Sequence, residues 1–416
     1  MASRRHWHLS FLSAVVGAAL LAACGGGDEP VVETPTGSGP SGAPTTAGTF
    51  TRLVSFGDSL SDLGTYAPAT SLTGNGAPPF FGGRFTTNAY NTYDSASQQS
   101  TATMYPEIVA GALGLVITPA EVGFAGKSVK CPVATAVPAV AGTCTGYGQG
   151  GAKVTNPIGI GNDGKNGAAL TVPVVTQVAN HLARFGNFTA NDLVLIFAGS
   201  NDVLYQHGAY MQIAALVGAD LAAGRITEAQ AAENIDAARA GALNEMKNVA
   251  RQLGALVKNE IVGKGAKYVA VMNIADISGT PYGGAQSADN KAFLQKMSAE
   301  FNSWVVDSLT DVPVRIYDSS AGFAAITADP ASFGITNVTV PACDAAKIAV
   351  ITGGKVLDGS SPFCNATPGA PFNGIRDGAD VNTWLFADGV HPTTGGQRAL
   401  GGAVLANLRT WGWIAP

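Results

Sequence analysis

Residues 54–64 read VSFGDSLSDLG. Leu53 to Phe56 is a short apolar run ending at Gly57, so the local reading is a buried strand that stops at a glycine turn. Asp58 and Ser59 follow at once, which places a serine hydroxyl at the end of a strand, where ligand sites of open parallel sheets lie. Whether Ser59 is a loop serine or a nucleophile depends on what else the chain supplies. A serine attacks only if a base takes its proton, a third group orients that base, and donors meet the oxyanion.

Working outward, the run beginning at Leu53 is the first of several. FTRLVSF from Phe50, DLVLIFAG from Asp192, KYVAVMNI from Lys267 and VRIYD from Val314 all read as strands. Longer helical patterns alternate with them, the mark of an α/β domain with a parallel sheet. Thr227 with Gln230 forms a capping-box signature that opens a helix running to Val257. A second helix is expected over Ala288 to Leu309, and a last one after HPTTGG, with Ala399, Leu400, Val404, Leu405 and Leu408 on one side. Residues 65–150 and about 320–380 are rich in Gly, Pro, Asn, Ser and Thr and carry no sustained period. Loops of that length are read as elaborations near a binding site.

The chain has 416 residues, 46% of them apolar, so it can bury a large core. Its charged fraction of 13% is about half the usual share, while 53 glycines and 22 prolines announce many turns. The net charge of −5 and the lack of any Lys/Arg block exclude the electrostatic footprint of a nucleic-acid binder.

The first residues form a separate device. Arg4, Arg5, His6 and His8 precede the uncharged run LSFLSAVVGAALLAA at residues 9–23, the layout of a secretory signal. The run is shorter than the roughly 20 residues a membrane span needs. Leu21 to Cys24, LAAC, resembles the lipobox of bacterial lipoproteins, which implies that Cys24 becomes the lipidated first residue; an ordinary signal peptide with an incidental Cys24 is the alternative. A Gly, Pro, Ser and Thr tract follows and reads as a tether. The expected organisation is a lipoprotein signal peptide over 1–23, a flexible linker over 24–49 and one domain over 50–416. The chain is then exported to the cell envelope and lipid-anchored at the outer membrane or cell surface, or otherwise periplasmic or secreted.

Four further cysteines suit that compartment. Local pairing is expected, Cys131 with Cys144 and Cys343 with Cys364, although four cysteines allow three connectivities. Neither spacing is a zinc pattern, and no metal or other cofactor is indicated.

Histidine is scarce: outside the signal only His181, His207 and His391 remain. His391 lies three residues after Asp388 in LFADGVHPT, a spacing that in a turn brings the carboxylate to one imidazole nitrogen and leaves the other for a nucleophile. His181 and His207 read as packing or surface residues. Asn201 comes just after the strand end at Ala198 and Gly199, where its amide N–H can donate to an oxyanion. Asp58 and Asp202 read as structural braces of their turns.

FGDSLSDLG, AGSND and DGVHP together resemble the first, third and last blocks of the GDSL, or SGNH, hydrolases, in the same order, from Leu53 to about Leu408. The resemblance implies a three-layer α/β/α, flavodoxin-like fold with a central parallel sheet and long inserted loops. It implies a Ser59, His391 and Asp388 triad acting through an acyl-enzyme, with no cofactor. It also implies an oxyanion hole from the Ser59 and Gly151 N–H groups and the Asn201 side chain. The second block departs from the family pattern, because GYGQGGAKV lacks the usual asparagine, so Gly148 and Gly150 stand as alternatives to Gly151. The implied partner is a small-molecule or lipid carboxylic ester, with the membrane reached through the N-terminal anchor and the oligomeric state unread. Acetylated sugars or phospholipids are the alternative substrates, and Phe80, Phe81, Phe85, Tyr90 and Tyr93 in the loops favour acyl or aromatic groups slightly. A non-catalytic surface binding protein would be expected to have lost one of Ser59, Asn201, Asp388 and His391; all four are present.

Other signals fail. AGKS at Ala125 to Ser128 has Glu121 where a phosphate loop needs its first glycine, GNDGKNG from Gly161 lacks the terminal Glu of a calcium loop, and no Gly-x-Ser-x-Gly elbow occurs.

Overall fold

A computed structural model describes residues 50–70, 83–89, 100–162, 164, 168–369 and 372–415. The signal, Cys24, the linker, Phe80, Phe81, Tyr90, Tyr93 and part of GNDGKNG lie outside the described residues.

The four expected apolar runs pair in parallel as β1 (Arg52–Gly57), β2 (Asp192–Phe197), β3 (Tyr268–Met272) and β4 (Arg315–Tyr317), in that spatial order. Phe56 stands opposite Ile196, Phe197 opposite Met272, and Met272 opposite Tyr317, so the C-terminal strand ends line up along one edge. Every residue of β2 is buried, which is why DLVLIF reads as a continuous apolar run and not an alternation. At the other end of β1, Arg52 and its register partner Asp192 form a bidentate ion pair, with Nε to Oδ1 at 3.0 Å and Nη2 to Oδ2 at 2.7 Å.

Residues 145–149 extend the sheet beyond β1. Ser55 donates its N–H to the Thr145 carbonyl (3.0 Å) and accepts from Tyr147 N–H (2.8 Å), and Gln149 N–H reaches the Gly57 carbonyl (3.2 Å). This edge segment lies outside β1, and β2 to β4 lie inside it, which is the strand arrangement of a flavodoxin-like sheet.

Helices cover both faces. Alternation along β1 and β2 sends Phe56 and Phe197 to opposite sides. Phe56 meets His181 of α2 (Val174–Phe185), and Phe197 meets Tyr105 of α1 (Tyr105–Ala112). α3 (Ser200–Ala222) leaves the end of β2, and α4 (Glu228–Leu256) opens with the expected box: Gln230 N–H donates to Thr227 Oγ1 at 3.2 Å and Thr227 N–H to Gln230 Oε1 at 2.9 Å. α5 (Ala288–Leu309) crosses α4 where Gly254 lets Ser308 approach, and α6 (Ser319–Ala328) follows β4. α7 (Thr394–Thr410) packs on α1 through Gly401 and Ile108.

The two stretches read as loops are less irregular than expected. The first contains α1 and an antiparallel hairpin, Glu121–Phe124 with Lys127–Lys130, and the second contains α6 and a helix at Ala345–Ile351. Eight residues of α1 give too little periodicity to stand out among glycines and threonines.

Gly199 joins β2 to α3 with φ +118°, and a Cβ there would lie 2.1 Å from a ring carbon of the fully buried Phe301. Gly199→Ala is expected to cost at least about 2 kcal/mol in urea unfolding, from overpacking and left-handed backbone together. Gly402→Ala, in α7 with open space at its Cβ, should gain stability from helix propensity. Equal midpoints for the two variants would contradict this packing.

Candidate active site

The glycine that ends β1 is held on both of its backbone groups. Gln177 of α2 accepts Gly57 N–H at Oε1 (2.9 Å) and donates from Nε2 to the Gly57 carbonyl (2.8 Å) and to Val172 (2.9 Å). A Cβ at Gly57 would sit 2.2 Å from the Phe197 carbonyl oxygen, so no other residue fits beside β2. Asp58 then caps a single 3₁₀ turn, Ser59–Ser61, accepting Leu60 N–H at Oδ1 (3.1 Å). Ser61 is tied to the Tyr105 hydroxyl at 3.0 Å. The backbone carrying Ser59 is therefore pinned from the strand, from α2 and from α1.

Ser59 Oγ lies 2.9 Å from His391 Nε2, across 332 positions of sequence. His391 Nδ1 lies 2.8 Å from Asp388 Oδ2 and 3.0 Å from Oδ1. All three side chains are buried, Ser59 and His391 completely. The Asp388 carboxylate also accepts three backbone N–H groups: Val390 (3.0 Å) and His391 (2.8 Å) at Oδ1, and Ser361 (2.9 Å) at Oδ2. Burial alone would push this carboxyl up. The adjacent His391 and these donors outweigh burial and hold it below the ordinary carboxylate range. An ionised Asp388 keeps the imidazole proton on Nδ1 and turns the Nε2 lone pair to the serine. The Phe85 ring lies 4.8 Å from the imidazole, edge-on to Tyr66 and against Gly150.

The glycine loop, residues 148–154, is fastened by three side chains from the other two motifs. Asp62 accepts N–H groups from Gly64 (2.8 Å), Thr65 (2.6 Å) and Gly150 (2.8 Å). Asn201 donates from Nδ2 to the Ala152 carbonyl at 2.9 Å, and Asp202 accepts Val154 N–H at 3.1 Å. The Gly150 N–H is thus engaged by Asp62, which removes Gly150 from the alternatives for an oxyanion donor. Gly151, with φ +79°, accepts Ile160 N–H at its carbonyl, and its own N–H meets no acceptor among the described residues. Asp202 was expected to brace its own turn; the bond its carboxylate makes reaches across to the glycine loop instead.

The remaining expected residues fall as follows. Cys131–Cys144 and Cys343–Cys364 are disulfides, the local pairing. His181 is buried, stacked on Phe188, and burial pushes it down to about 3; His207 meets the Tyr282 hydroxyl at 2.9 Å and is pushed down to about 4 by burial. Both are packing residues. Among the described residues no group of three or more His, Cys, Asp or Glu side chains has the makings of a metal site. Sequence reasoning missed Gln177, Asp62 and Ser361. Asp62 sat inside the quoted SDLG and its signal was available; Ser361 acts through its backbone and carries none.

A family model described as GDSL-like Lipase/Acylhydrolase matches residues 53–404. No curated protein matches the chain.

Burial pushes Asp202 up to about 7, against the lowering effects of Val154 N–H and Lys153. The folded chain therefore keeps a proton that the unfolded chain loses near pH 4, and stability from this residue falls as pH rises from about 4 to about 7. Asp202→Asn keeps an oxygen for Val154 and removes the titration. Its thermal midpoint should decline less than the wild type's between pH 5 and pH 8; parallel declines would contradict the assignment.

Proposed function

The chain belongs to the GDSL-like lipase/acylhydrolase family, and from that premise we propose that it is an exported serine esterase whose Ser59, His391 and Asp388 hydrolyse carboxylic esters. Membership makes it a hydrolase of ester bonds. The observation that carries the residue assignment is the continuous line from Asp388 through His391 to Ser59, with contacts of 2.8 Å and 2.9 Å.

In this reading Ser59 Oγ attacks the ester carbonyl while His391 Nε2 takes its proton, and Asp388 stabilises the imidazolium that forms. The tetrahedral oxyanion is met by the N–H groups of Ser59 and Gly151 and by the second N–H of Asn201 Nδ2. Asn201 supports Gly151 in that role because its amide already holds Ala152, the next residue of the loop. Collapse expels the alcohol, which takes the proton from His391 and leaves an acyl-Ser59. Water, deprotonated by His391, releases the acid. Phe85 beside His391, backed by Tyr66, supplies an apolar wall for the acyl or alcohol group.

Residues 1–23 are the proposed lipoprotein signal, Cys24 the lipidated residue and 24–49 the tether that sets the domain, 50–416, off the envelope surface. The supporting pattern is LAAC at the end of an uncharged run.

Ser59→Ala is expected to lower kcat on p-nitrophenyl esters by on the order of 10⁶. Asn201→Ala should cost roughly 10²–10³ in kcat with little change in KM. Equal rates for wild type and Ser59→Ala would remove the esterase reading, and a profile confined to acetate across an acetate-to-palmitate series would move it to deacetylation. For the anchor, Cys24→Ala should shift the protein from the membrane fraction to the soluble one on fractionation; unchanged membrane partitioning would rule out a lipid tether at Cys24.

A further inference from the structure

The helix that carries Asn201 runs on past the body of the domain. β2 ends at the catalytic edge and the parallel β3 begins at the opposite one, so α3 leaves that edge and α4 returns across the whole sheet. At about 1.5 Å per residue the 29 residues of α4 span roughly 43 Å, about twice the length of the six-residue β2. The hairpin between α3 and α4 therefore stands out beyond the edge where Ser59 lies. Its burial fits this placement: α3 has no buried residue after Tyr210, and α4 buries only Ala231 before Ala242.

The side of α3 that starts at Asn201 carries no charge. Tyr205 lies one turn on, and Ala209, Gln212 and Leu216 continue the same side at steps of three and four. From Val203 through Ala219 there is no Asp, Glu, Lys or Arg. This side nevertheless faces water: Tyr205 is 40% exposed, Leu216 68%, and the adjoining Ile213 42%. A helix that turns large apolar side chains outward marks a contact surface. The ridge is joined at its base to the glycine loop, where Asn201 binds the Ala152 carbonyl at 2.9 Å and Lys153 lays its ammonium over the Tyr205 ring, 3.5 Å from the centroid.

Area and charge select the partner. From Tyr205 to Leu221 the ridge is about 25 Å long and about 10 Å wide, roughly 250 Å², against the roughly 800 Å² per partner of a stable protein pair. A convex ridge of that size is too small to hold a second copy by itself, whereas a lipid surface admits an apolar helix face to a depth of about 5–10 Å. The charges flanking its outer end lean acidic: Asp220 is paired with Arg225, and Glu228, Glu233 and Asp236 follow on α4. Helices that bind anionic lipid carry Lys and Arg in such places. The match is therefore an uncharged lipid.

We propose that the outer side of α3 docks on the surface of an uncharged lipid-ester aggregate and so brings acyl esters to Ser59. This rests on the esterase reading and names its substrate class, neutral esters held at an interface rather than dissolved ones. Leu216 and Ile213 enter the lipid, and Tyr205 leads back along the same side of the helix to Asn201.

The test uses the mature chain carrying Cys24→Ala, so that no lipid at residue 24 contributes, with tributyrin as the probe. Hydrolysis should climb steeply once tributyrin passes its solubility and forms droplets. Ile213→Glu with Leu216→Glu should cut the droplet rate roughly tenfold or more, as withdrawal of two large apolar side chains from lipid predicts. The same variant should turn over dissolved p-nitrophenyl butyrate at the unaltered rate and keep its thermal midpoint. An undiminished droplet rate, or an equal loss on the dissolved ester, would overturn the docking ridge. Flotation reads docking without hydrolysis: a Ser59→Ala chain should rise with triolein droplets in a density gradient and the doubly charged variant should not, and a Ser59→Ala chain that stays behind would overturn the proposal. A chain that sediments as a dimer, made monomeric by the two glutamates, would assign the ridge to a second copy instead. Droplet binding without Ser59-dependent hydrolysis would remove the esterase reading alone.

Discussion

A buried carboxylate has to be surrounded by donors, and the Asp388 side chain sets that demand at the centre of this molecule. Three backbone N–H groups and one imidazole nitrogen converge on two oxygens that water scarcely reaches. Two of those N–H groups come from the Asp388 turn itself. The third comes from Ser361, in a segment that must be brought from elsewhere. Asn88 Nδ2 helps by binding the Ser361 and Cys364 carbonyls at 3.0 Å and 3.3 Å, and the Cys343–Cys364 disulfide fastens the segment beside Ala387, whose carbonyl accepts Cys343 N–H. The long insertion over residues 320–380 thereby acquires a role. It supplies one N–H donor to the proposed orienting carboxylate, and so joins His391, the larger influence, in holding Asp388 below the ordinary range against burial.

The same logic governs the glycine loop. Glycines permit its close approach to Ser61 and to Phe85, but they do not choose one conformation. Asp62, Asn201 and Asp202 make that choice by binding Gly150, Ala152 and Val154. Each comes from a motif whose better-known member faces the reaction, so the serine and asparagine blocks are also the braces of the weak second block. Burial pushes Asp58 up to about 7 and Asp62 up to about 6, against the N–H donors that lower them. These carboxyls are costly to bury, and their donors are what make the arrangement tolerable.

Fold class was readable in the sequence because β2 and its neighbours are unbroken apolar runs and because Thr227 with Gln230 marks a helix start without ambiguity. The proposed triad was readable because its serine and histidine sit in short motifs, Ser59 just past the end of β1 and His391 in the turn before α7. What stayed hidden was long-range and carried by backbone or amide groups. Gln177 meets Gly57 from 120 positions away, and Ser361 meets Asp388 from 27. A glutamine in a helix and a serine in a loop have no pattern that announces such partners. α1 was lost for a different reason: its eight residues lie in a region dominated by turn formers, and its contact with α7 through Ile108 and Gly401 is long-range. The second block was ambiguous among three glycines because N–H groups are identical in sequence; only the Asp62 contact separates Gly150 from the others.

Catalysis at this site requires that His391 make Ser59 nucleophilic. The most direct measurement is covalent trapping: the protein is treated with a fluorophosphonate ester, digested, and the labelled peptide identified by mass spectrometry. The predicted result is one adduct, on Ser59, lost when His391 is replaced by Ala. Labelling at another serine, or labelling of Ser59 that is indifferent to His391, would contradict it.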